Sequence, residues 1–262
     1  MANNKGIYTT TKKDGSIYYR VSTTFHNKHI SLGSFDNITI ANKAYNEACK
    51  ILDGKISIND IHKIKNLSLD KAIVLLNYYD NNIYFATPIY LRKNYFEYYL
   101  SENTILKFDR DDLFFYSSHK IQQKGGYIFV SDYGSQYSIQ SRYGIKPFAV
   151  YGRDYTMVNN DIHDYRYSNI NVINNFNGVK QYTRNKSLYY KCYIHINGNT
   201  LVGTYNSEIE AAVAYNKAVD TLKVLGSPKN YTKNFISSLS KEEYIEIYKS
   251  TKISKKLLKA LS

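Results

Sequence analysis

The 262-residue sequence contains no tryptophan, only three prolines and only two cysteines. Cys49 and Cys192 are single and far apart, so they match neither a disulfide framework nor a zinc-ligand spacing, and we expect both to serve packing. No apolar run approaches the ~20 residues that span a bilayer. The first residues, MANNKG, lack the apolar core of a signal peptide. We therefore expect a cytoplasmic protein with no membrane partner.

Basic side chains are plentiful, and they are concentrated at the two ends of the chain. The formal net charge is +13. Residues 1–55 hold 8 Lys and Arg against 4 Asp and Glu, and residues 178–262 hold 14 against 6, whereas residues 56–177 hold 13 against 12. A basic surface attracts phosphate backbones at long range, so this distribution favours nucleic acid as the partner. The alternative is a solvated surface that only promotes solubility.

The composition also indicates the kind of genome. The chain has 29 tyrosines and is rich in Asn, Lys and Ile, which are amino acids with AT-rich codons. We expect a low-GC bacterium or its phage as the source, and a nucleoid-associated location in the bacterial or phage-infected cell.

Two stretches near the ends of the chain are almost the same. LGSFDNITIANKAYNEA at 32–48 matches VGTYNSEIEAAVAYNKA at 202–218, and IYYRVSTTF at 17–25 matches LYYKCYIHI at 188–196. The offset between matched positions drifts only from 172 to 170. This is an internal duplication.

Each copy predicts three short strands followed by one helix. Turn residues separate alternating runs, and the Asn197-Gly198 pair is a strong hairpin signal. Asn37 and Ser207 are the predicted N-caps, and alanines recur behind them at helical spacing. Small alanines let a helix lie close to a sheet, so one sheet face is predicted to be covered and the other to be free.

Alternation places every second side chain of a strand on the face away from the helix. The predicted outward set mixes cationic, aromatic and hydrogen-bonding side chains, as suits a sheet that enters the major groove. The candidate DNA-binding residues are Tyr8, Thr10, Lys12, Arg20, Ser22 and His29 in the first copy, and Lys180, Tyr182, Arg184, Lys191, Tyr193, His195 and Asn199 in the second.

The ordered pattern G-V, YYK, LG-x-F/Y-D/N and AYN-x-A resembles the AP2/ERF-type DNA-binding domain, which occurs in plant transcription factors and in phage and bacterial homing endonucleases. It covers residues 6–52 and 178–223. In that family the free sheet face binds the major groove, and the resemblance implies the same here. Tyr19 and Tyr190 stand where the family usually has Trp, and the acidic position of its AYD motif is asparagine in both copies.

A second resemblance lies between the two copies. The segment at 151–179 resembles the ββα-metal (HNH) module that accompanies AP2-like domains in homing endonucleases, through D-x-x-D-Y-R-x-x-N-I at 161–170 and the trailing Asn174 and Asn175. In that family a histidine activates water, and a metal ion stabilises the scissile phosphate.

Three positions of this module depart from the family. With Arg166 and Asn169 aligned, the general-base His falls on Met157, a metal-ligand Asp on Thr156, and the central Asn on Tyr165. A thioether cannot deprotonate water. The resemblance therefore implies a module that has lost its chemistry, with no catalytic residue and no cofactor.

An active nuclease stays open as the alternative. In that case the candidate catalytic residues are His163 and Asp161, and the candidate ligands for Mg²⁺ are Asp161, Asp164 and Asn175. A lone His in a turn rich in Tyr and Asn is otherwise a surface residue.

We predict an α+β protein in which two AP2-like domains, each a three-stranded sheet with one helix, flank a central β-rich, ββα-metal-like domain. The predicted boundaries are 1–55, 56–177 with the ββα module at about 143–177, 178–236, and a basic helical tail at 237–262. The predicted function is sequence-specific binding of double-stranded DNA by a phage or bacterial regulator or repressor without catalysis. The alternatives are a metal-dependent site-specific endonuclease and a sheet-mediated protein adaptor. The tail offers a route to a homodimer.

Overall fold

The computed structural model describes residues 6–255 and residue 257. Over this range the chain is a mixed α+β protein with several small antiparallel sheets, most of them three-stranded, and helices, which confirms the predicted fold class at that level. The described chain divides into two compact units, one holding 6–139 with 161–169 and the other holding 140–160 with 170–257.

The first unit begins with the first copy of the repeat and continues through two further sheets. Its strands and helices are β1 (Ile7–Thr11), β2 (Ile17–Phe25), β3 (Lys28–Phe35), α1 (Ile38–Leu52), a 3₁₀ helix (Ile58–Lys63), α2 (Leu69–Asn81), β4 (Ile89–Leu91), β5 (Tyr95–Tyr99), β6 (Ile105–Asp109), α3 (Leu113–Ser118), β7 (Ile121–Lys124), β8 (Tyr127–Asp132) and β9 (Ser135–Ser138). Its three sheets have the orders β1-β2-β3, β4-β5-β6 and β7-β8-β9.

The second unit contains a short hairpin and the second copy of the repeat. Its elements follow α4 (Ile139–Arg142), at which the chain passes from one unit to the other, and are β10 (Tyr155–Met157), β11 (Ile170–Val172), β12 (Val179–Arg184), β13 (Ser187–His195), β14 (Asn199–Tyr205), α5 (Glu208–Val224) and α6 (Lys241–Ser250). Its sheets have the orders β10-β11 and β12-β13-β14.

The two copies repeat each other in register as well as in strand order. In both, the register shifts at the same place, opposite Val21 and Ser22 of β2 and opposite Cys192 and Tyr193 of β13, and the extra residue of the β-bulge is Leu32 in β3 or Val202 in β14. A bulge adds a residue to one strand and increases the local twist. Its presence at equivalent positions makes the duplication visible in the backbone.

Each repeat helix begins at the predicted cap. Asn37 Oδ1 accepts hydrogen bonds from the backbone amides of Thr39 and Ile40, and Ser207 Oγ accepts one from Glu210 N at 3.1 Å. The predicted alanines are fully buried against the sheets, as Ala41, Ala44 and Ala48 in α1 and Ala211, Ala214 and Ala218 in α5. The sequence pattern therefore predicted both helices and the faces that they bury.

The core of the first unit does not stop at residue 55. Buried side chains of α1 and of the strands in front of it belong to the same cluster as Ile73, Leu75 and Leu76 of α2. Ser68 caps α2 by accepting a hydrogen bond from Lys71 N. The first repeat is therefore supported from behind by a second helix.

In the second unit the C-terminal segment packs on α5. Ser240 and Glu243 form a capping box at the start of α6. Asn216 of α5 is buried and exchanges hydrogen bonds with the backbone of Asn234, and its amide nitrogen lies 3.1 Å from the Tyr244 hydroxyl. Asn216 thus anchors the segment that follows α5.

The predicted ββα module lacks its helix. β10 and β11 form an antiparallel hairpin, but the six residues 173–178 that lead to β12 contain no helix. The buried Asn174 fixes this link, because its amide nitrogen donates to Arg153 O and its amide oxygen accepts from Gln181 N. No described helix is both long and apolar enough to cross a membrane.

Candidate nucleic-acid interface

The candidate interface consists of the two outer faces, meaning the sheet faces that point away from α1 and α5. On the N-terminal outer face Tyr8 lies opposite Arg20 in the β1–β2 register. The Tyr8 side chain is 59% exposed, which is unusual for a large ring. Lys12 lies near the end of β1, with its Nζ 5.8 Å from the centre of the Tyr18 ring and 3.2 Å from Asp36 Oδ1.

Lysines and tyrosines alternate across the C-terminal outer face. Lys180 Nζ lies 5.1 Å from the centre of the Tyr193 ring, and Lys191 Nζ lies 4.3 Å from that of Tyr182. The Tyr182 ring is in turn 5.7 Å from the Tyr189 ring. A cation within about 6 Å of a ring face is attracted to it. The tyrosines thus hold flexible lysines close to the sheet.

Twelve of the thirteen predicted DNA-binding residues are exposed or half-buried, so solvent reaches them. The exposed ones are Tyr8, Lys12, Arg20, His29, Arg184, His195 and Asn199, and the half-buried ones are Thr10, Lys180, Tyr182, Lys191 and Tyr193.

Ser22 is the exception, because only 7% of it is exposed. It follows the β-bulge, where the register with β3 shifts, and its amide donates to Gly6 O at 2.9 Å. Alternation alone placed Ser22 on the accessible face, and the structure corrects this prediction.

Four cations of the outer faces have no acidic partner within the described residues. No described Asp or Glu forms an ion pair with Arg20, Lys180, Arg184 or Lys191. Lys180 and Lys191 are also directly opposite each other in the β12–β13 register. Like charges at opposite positions destabilise a sheet. This costly arrangement is the one expected where an anion binds between them.

Just before the first strand of each copy, the backbone at a glycine passes very close to a tyrosine of the repeat helix. Gly6 has φ +81° and Gly178 has φ +75°. A Cβ on Gly6 would lie less than 3.0 Å from the Ser22 carbonyl oxygen and from the Tyr45 ring, and one on Gly178 would meet the Tyr215 ring in the same way. Glycine is therefore required at both positions, since it has no Cβ and tolerates positive φ.

A cavity of about 620 Å³ lies beside the C-terminal outer face. The sheet lines it with Val179, Lys180, Tyr193, His195 and Asn199, and α5 lines it with Tyr215. The rest of its wall comes from loop residues within 146–154, 177–178 and 229–232. The charged side chains of the lining are the basic Lys146, Arg153, Lys180 and Lys229 and the acidic Asp154.

Asp154 is almost completely buried in this wall. Its carboxylate lies 2.5 Å from Arg153 Nη2 and 3.1 Å from Lys146 Nζ, and it accepts a hydrogen bond from Val150 N at 2.8 Å. Burial alone would raise the pKa of Asp154, but the hydrogen bonds from Arg153 and Val150 and the charge of Lys146 bring the pKa below its ordinary value. Asp154 is therefore ionised at neutral pH. It offsets part of the charge of Lys146 and Arg153, two of the four basic side chains that line the cavity.

Phe148 lines the same cavity and is 83% exposed. Its φ is +59°, a left-handed conformation that is an outlier for a bulky residue and costs ~1–2 kcal/mol. Backbone strain of this kind is concentrated at functional sites. Because the Phe148 ring is exposed, burial in a hydrophobic core does not account for its strained backbone.

The three positions that depart from the nuclease pattern have packing roles. Met157 in β10 is 2% exposed, and Tyr165 is 3% exposed with its ring 5.8 Å from that of Phe108. Thr156 is half-buried, and its hydroxyl lies 3.4 Å from the amide nitrogen of Asn171.

The two candidate acids each contact a basic side chain. Asp161 Oδ2 lies 2.8 Å from Lys107 Nζ, and Asp164 Oδ2 lies 2.5 Å from Arg166 Nη2. His163 is half-buried, with its Nδ1 4.0 Å from Asp161 Oδ1.

The third candidate ligand, Asn175, belongs to the other compact unit and donates to Glu208 Oε2 at 2.9 Å. Within the described range, no group of three His, Cys, Asp or Glu side chains is arranged to hold a metal ion.

Sequence reasoning missed the loop that lines the cavity. Its residues, KPFAVYGRDY at 146–155, place Lys146 and Arg153 around an aromatic side chain, which is a weak signal. Nothing in the sequence indicates positive φ at Phe148, because that conformation depends on tertiary packing.

No protein-family model matches the chain, and neither a curated protein nor a solved structure is significantly similar to it.

Proposed function

We propose that this protein binds double-stranded DNA in a sequence-specific manner through the outer faces of its two AP2-like sheets. The observation that carries the proposal is the set of four cations that pair with no acid in the described part of the chain, interleaved with tyrosines on two matched sheet faces that no repeat helix covers. Such a face offers guanidinium and ammonium groups to phosphates and to base edges, and hydroxyls to the backbone.

Two tethered sheets bind more tightly than either one alone. Once one sheet is bound, the second is held at a high local concentration near the same duplex. Moderate affinity at each face is then sufficient for recognition of a long site.

The proposed role is regulation without catalysis, in a phage or bacterium. A repressor needs occupancy of its site and no reaction there. In support, Met157 and Tyr165 are buried where a nuclease of the HNH type has its base and an amide, and Asp161 and Asp164 contact Lys107 and Arg166.

The test begins with selection of binding sites from a random duplex library, followed by affinity measurements as a function of salt. Each phosphate contact adds about −0.9 to the slope of log K against log salt. Four contacts predict a slope of about −3.6. Replacing Arg20, Lys180, Arg184 or Lys191 by Ala is expected to reduce the slope by about 1 each.

The matched controls are Lys43→Ala in α1 and Lys223→Ala in α5. Both lysines are exposed and lie on the repeat helices rather than on the outer faces. We expect each control to change the slope by much less than 1. A flat salt response, or equal effects of the face and helix variants, would refute the proposed interface.

Catalysis is tested in the same samples. The selected duplex is incubated with the protein and Mg²⁺ or Mn²⁺, and we expect it to stay intact. Cleavage that is lost in Asp161→Ala or His163→Ala would establish the nuclease alternative instead.

A further inference from the structure

We propose that the cavity beside the C-terminal outer face binds one nucleotide extruded from the bound duplex. In this arrangement the base stacks on Phe148, and the phosphate lies near Lys180 and Lys229. The inference rests on the proposed DNA binding, because the duplex delivers the nucleotide.

The dimensions and position of the cavity fit this occupant. Its volume of about 620 Å³ lies within the 300–1,000 Å³ typical of small-ligand sites. Lys180, Tyr193 and Asn199 belong both to the cavity lining and to the proposed DNA-binding face. A duplex on that face therefore lies next to the cavity.

The charges favour a phosphate on one side of the cavity. Lys146 and Arg153 contact Asp154, so part of their charge is neutralised. Neither Lys180 nor Lys229 forms an ion pair with a described carboxylate, although Lys229 Nζ donates to Ile196 O. Each ammonium group has three donors, so both keep donors for phosphate oxygens.

The aromatic side chain has the properties of a stacking platform. Phe148 is 83% exposed on the cavity wall, where a free ring face can receive a base. Its left-handed backbone holds the ring at this position. Proteins that unstack a base use an apolar ring in this way, either as a wedge or as a new stacking partner.

Amide side chains complete the lining. Asn177, Asn199 and Asn230 all line the cavity, and an asparagine amide can pair with the edge of a base. Asn177 is held in place because its backbone amide donates to Asn234 Oδ1 at 2.8 Å.

The experiment scans mismatches along the selected duplex. Extrusion costs least at a mispaired base, so a mismatch at the extruded position should strengthen binding, whereas mismatches elsewhere should weaken it. We expect at least a tenfold gain in affinity at one position. A 2-aminopurine placed there should change its fluorescence on binding, and the same probe one turn away should not.

Two variants and one control assign the effect to the cavity. Phe148→Ala removes the ring, and Phe148→Gly removes it while tolerating positive φ, so a shared loss of the mismatch gain cannot come from unfolding. Phe114→Ala is the control, because Phe114 is 87% exposed in the other compact unit. We expect it to keep the gain in full.

The outcomes separate this inference from the proposed function. Duplex binding with a steep salt slope, but with no position of mismatch gain, would overturn the extrusion and leave the interface intact. A gain that persists in Phe148→Gly would also overturn it. Competition by free AMP as effective as that by the duplex would show a free-nucleotide site instead. Absence of duplex binding would overturn both proposals.

Discussion

Replacing Gly6 by alanine is expected to destabilise the N-terminal sheet much more than the same change at Gly15. The two glycines have almost the same φ, +81° and +83°. A Cβ at Gly15 meets nothing within 4 Å, whereas a Cβ at Gly6 would collide with the Ser22 carbonyl oxygen and the Tyr45 ring. Both variants carry the ~1–2 kcal/mol cost of a left-handed alanine. Only Gly6→Ala adds the ~1–3 kcal/mol of overpacking.

The expected loss of stability is therefore about 1–2 kcal/mol for Gly15→Ala and about 2–5 kcal/mol for Gly6→Ala. Native-state hydrogen exchange at the amides of β1 and β2 measures this loss locally, which matters because two compact units need not unfold in one step. Equal protection in the two variants would refute the close approach. Normal protection in Gly6→Ala would refute both the contact and the strain.

Three further predictions concern the second unit. Asn216→Ala is expected to cost about 1–3 kcal/mol in urea unfolding because it leaves buried partners unbonded, whereas the exposed counterpart change Asn46→Ala should cost under about 0.5 kcal/mol. Equal costs would contradict the anchoring role. Folding lowers the pKa of Asp154, so the free energy that its charge adds to stability is present above the unfolded pKa of about 3.9 and is lost as the pH falls below it towards the folded pKa. Asp154→Asn should therefore make the free energy of unfolding fall less steeply with decreasing pH in the acid range. An unchanged fall in the variant would refute this. Burial raises the pKa of Cys192, so a thiol reagent should label half-buried Cys49 first, and the reverse order would contradict the packing role.

The repeat and its helices could be predicted from sequence because their signals are local. Alanine spacing and the caps at Asn37 and Ser207 depend on neighbours within one or two turns of helix. The hairpin turns likewise depend on a few adjacent residues, such as His26 and Asn27, which both have positive φ. For these elements, local preference and tertiary structure agree.

Other features depend on distant contacts and could not be predicted in this way. Ser22 is buried where the register of β2 with β3 shifts and where its amide donates to Gly6 O, and alternation along a single strand cannot indicate either contact. After β11 the residues 173–178 form no helix, and Asn174 there bonds to Arg153 and Gln181, partners that lie outside the segment. The cavity is formed by segments far apart in sequence, from Lys146 to Thr232, so only the folded chain brings its cations together.

The divergence of the two outer faces has a consequence for the symmetry of the proposed DNA site. Inward positions keep their apolar character between the copies, as at Val21 and Cys192, while outward positions differ, as at Tyr8 and Lys180. A homodimer presents two identical binding faces related by a twofold axis, so its DNA site has to be palindromic. Two diverged faces in one polypeptide remove that constraint. If both faces bind one duplex, the preferred site has a direction, and inverting one half of it would abolish recognition without changing its base composition.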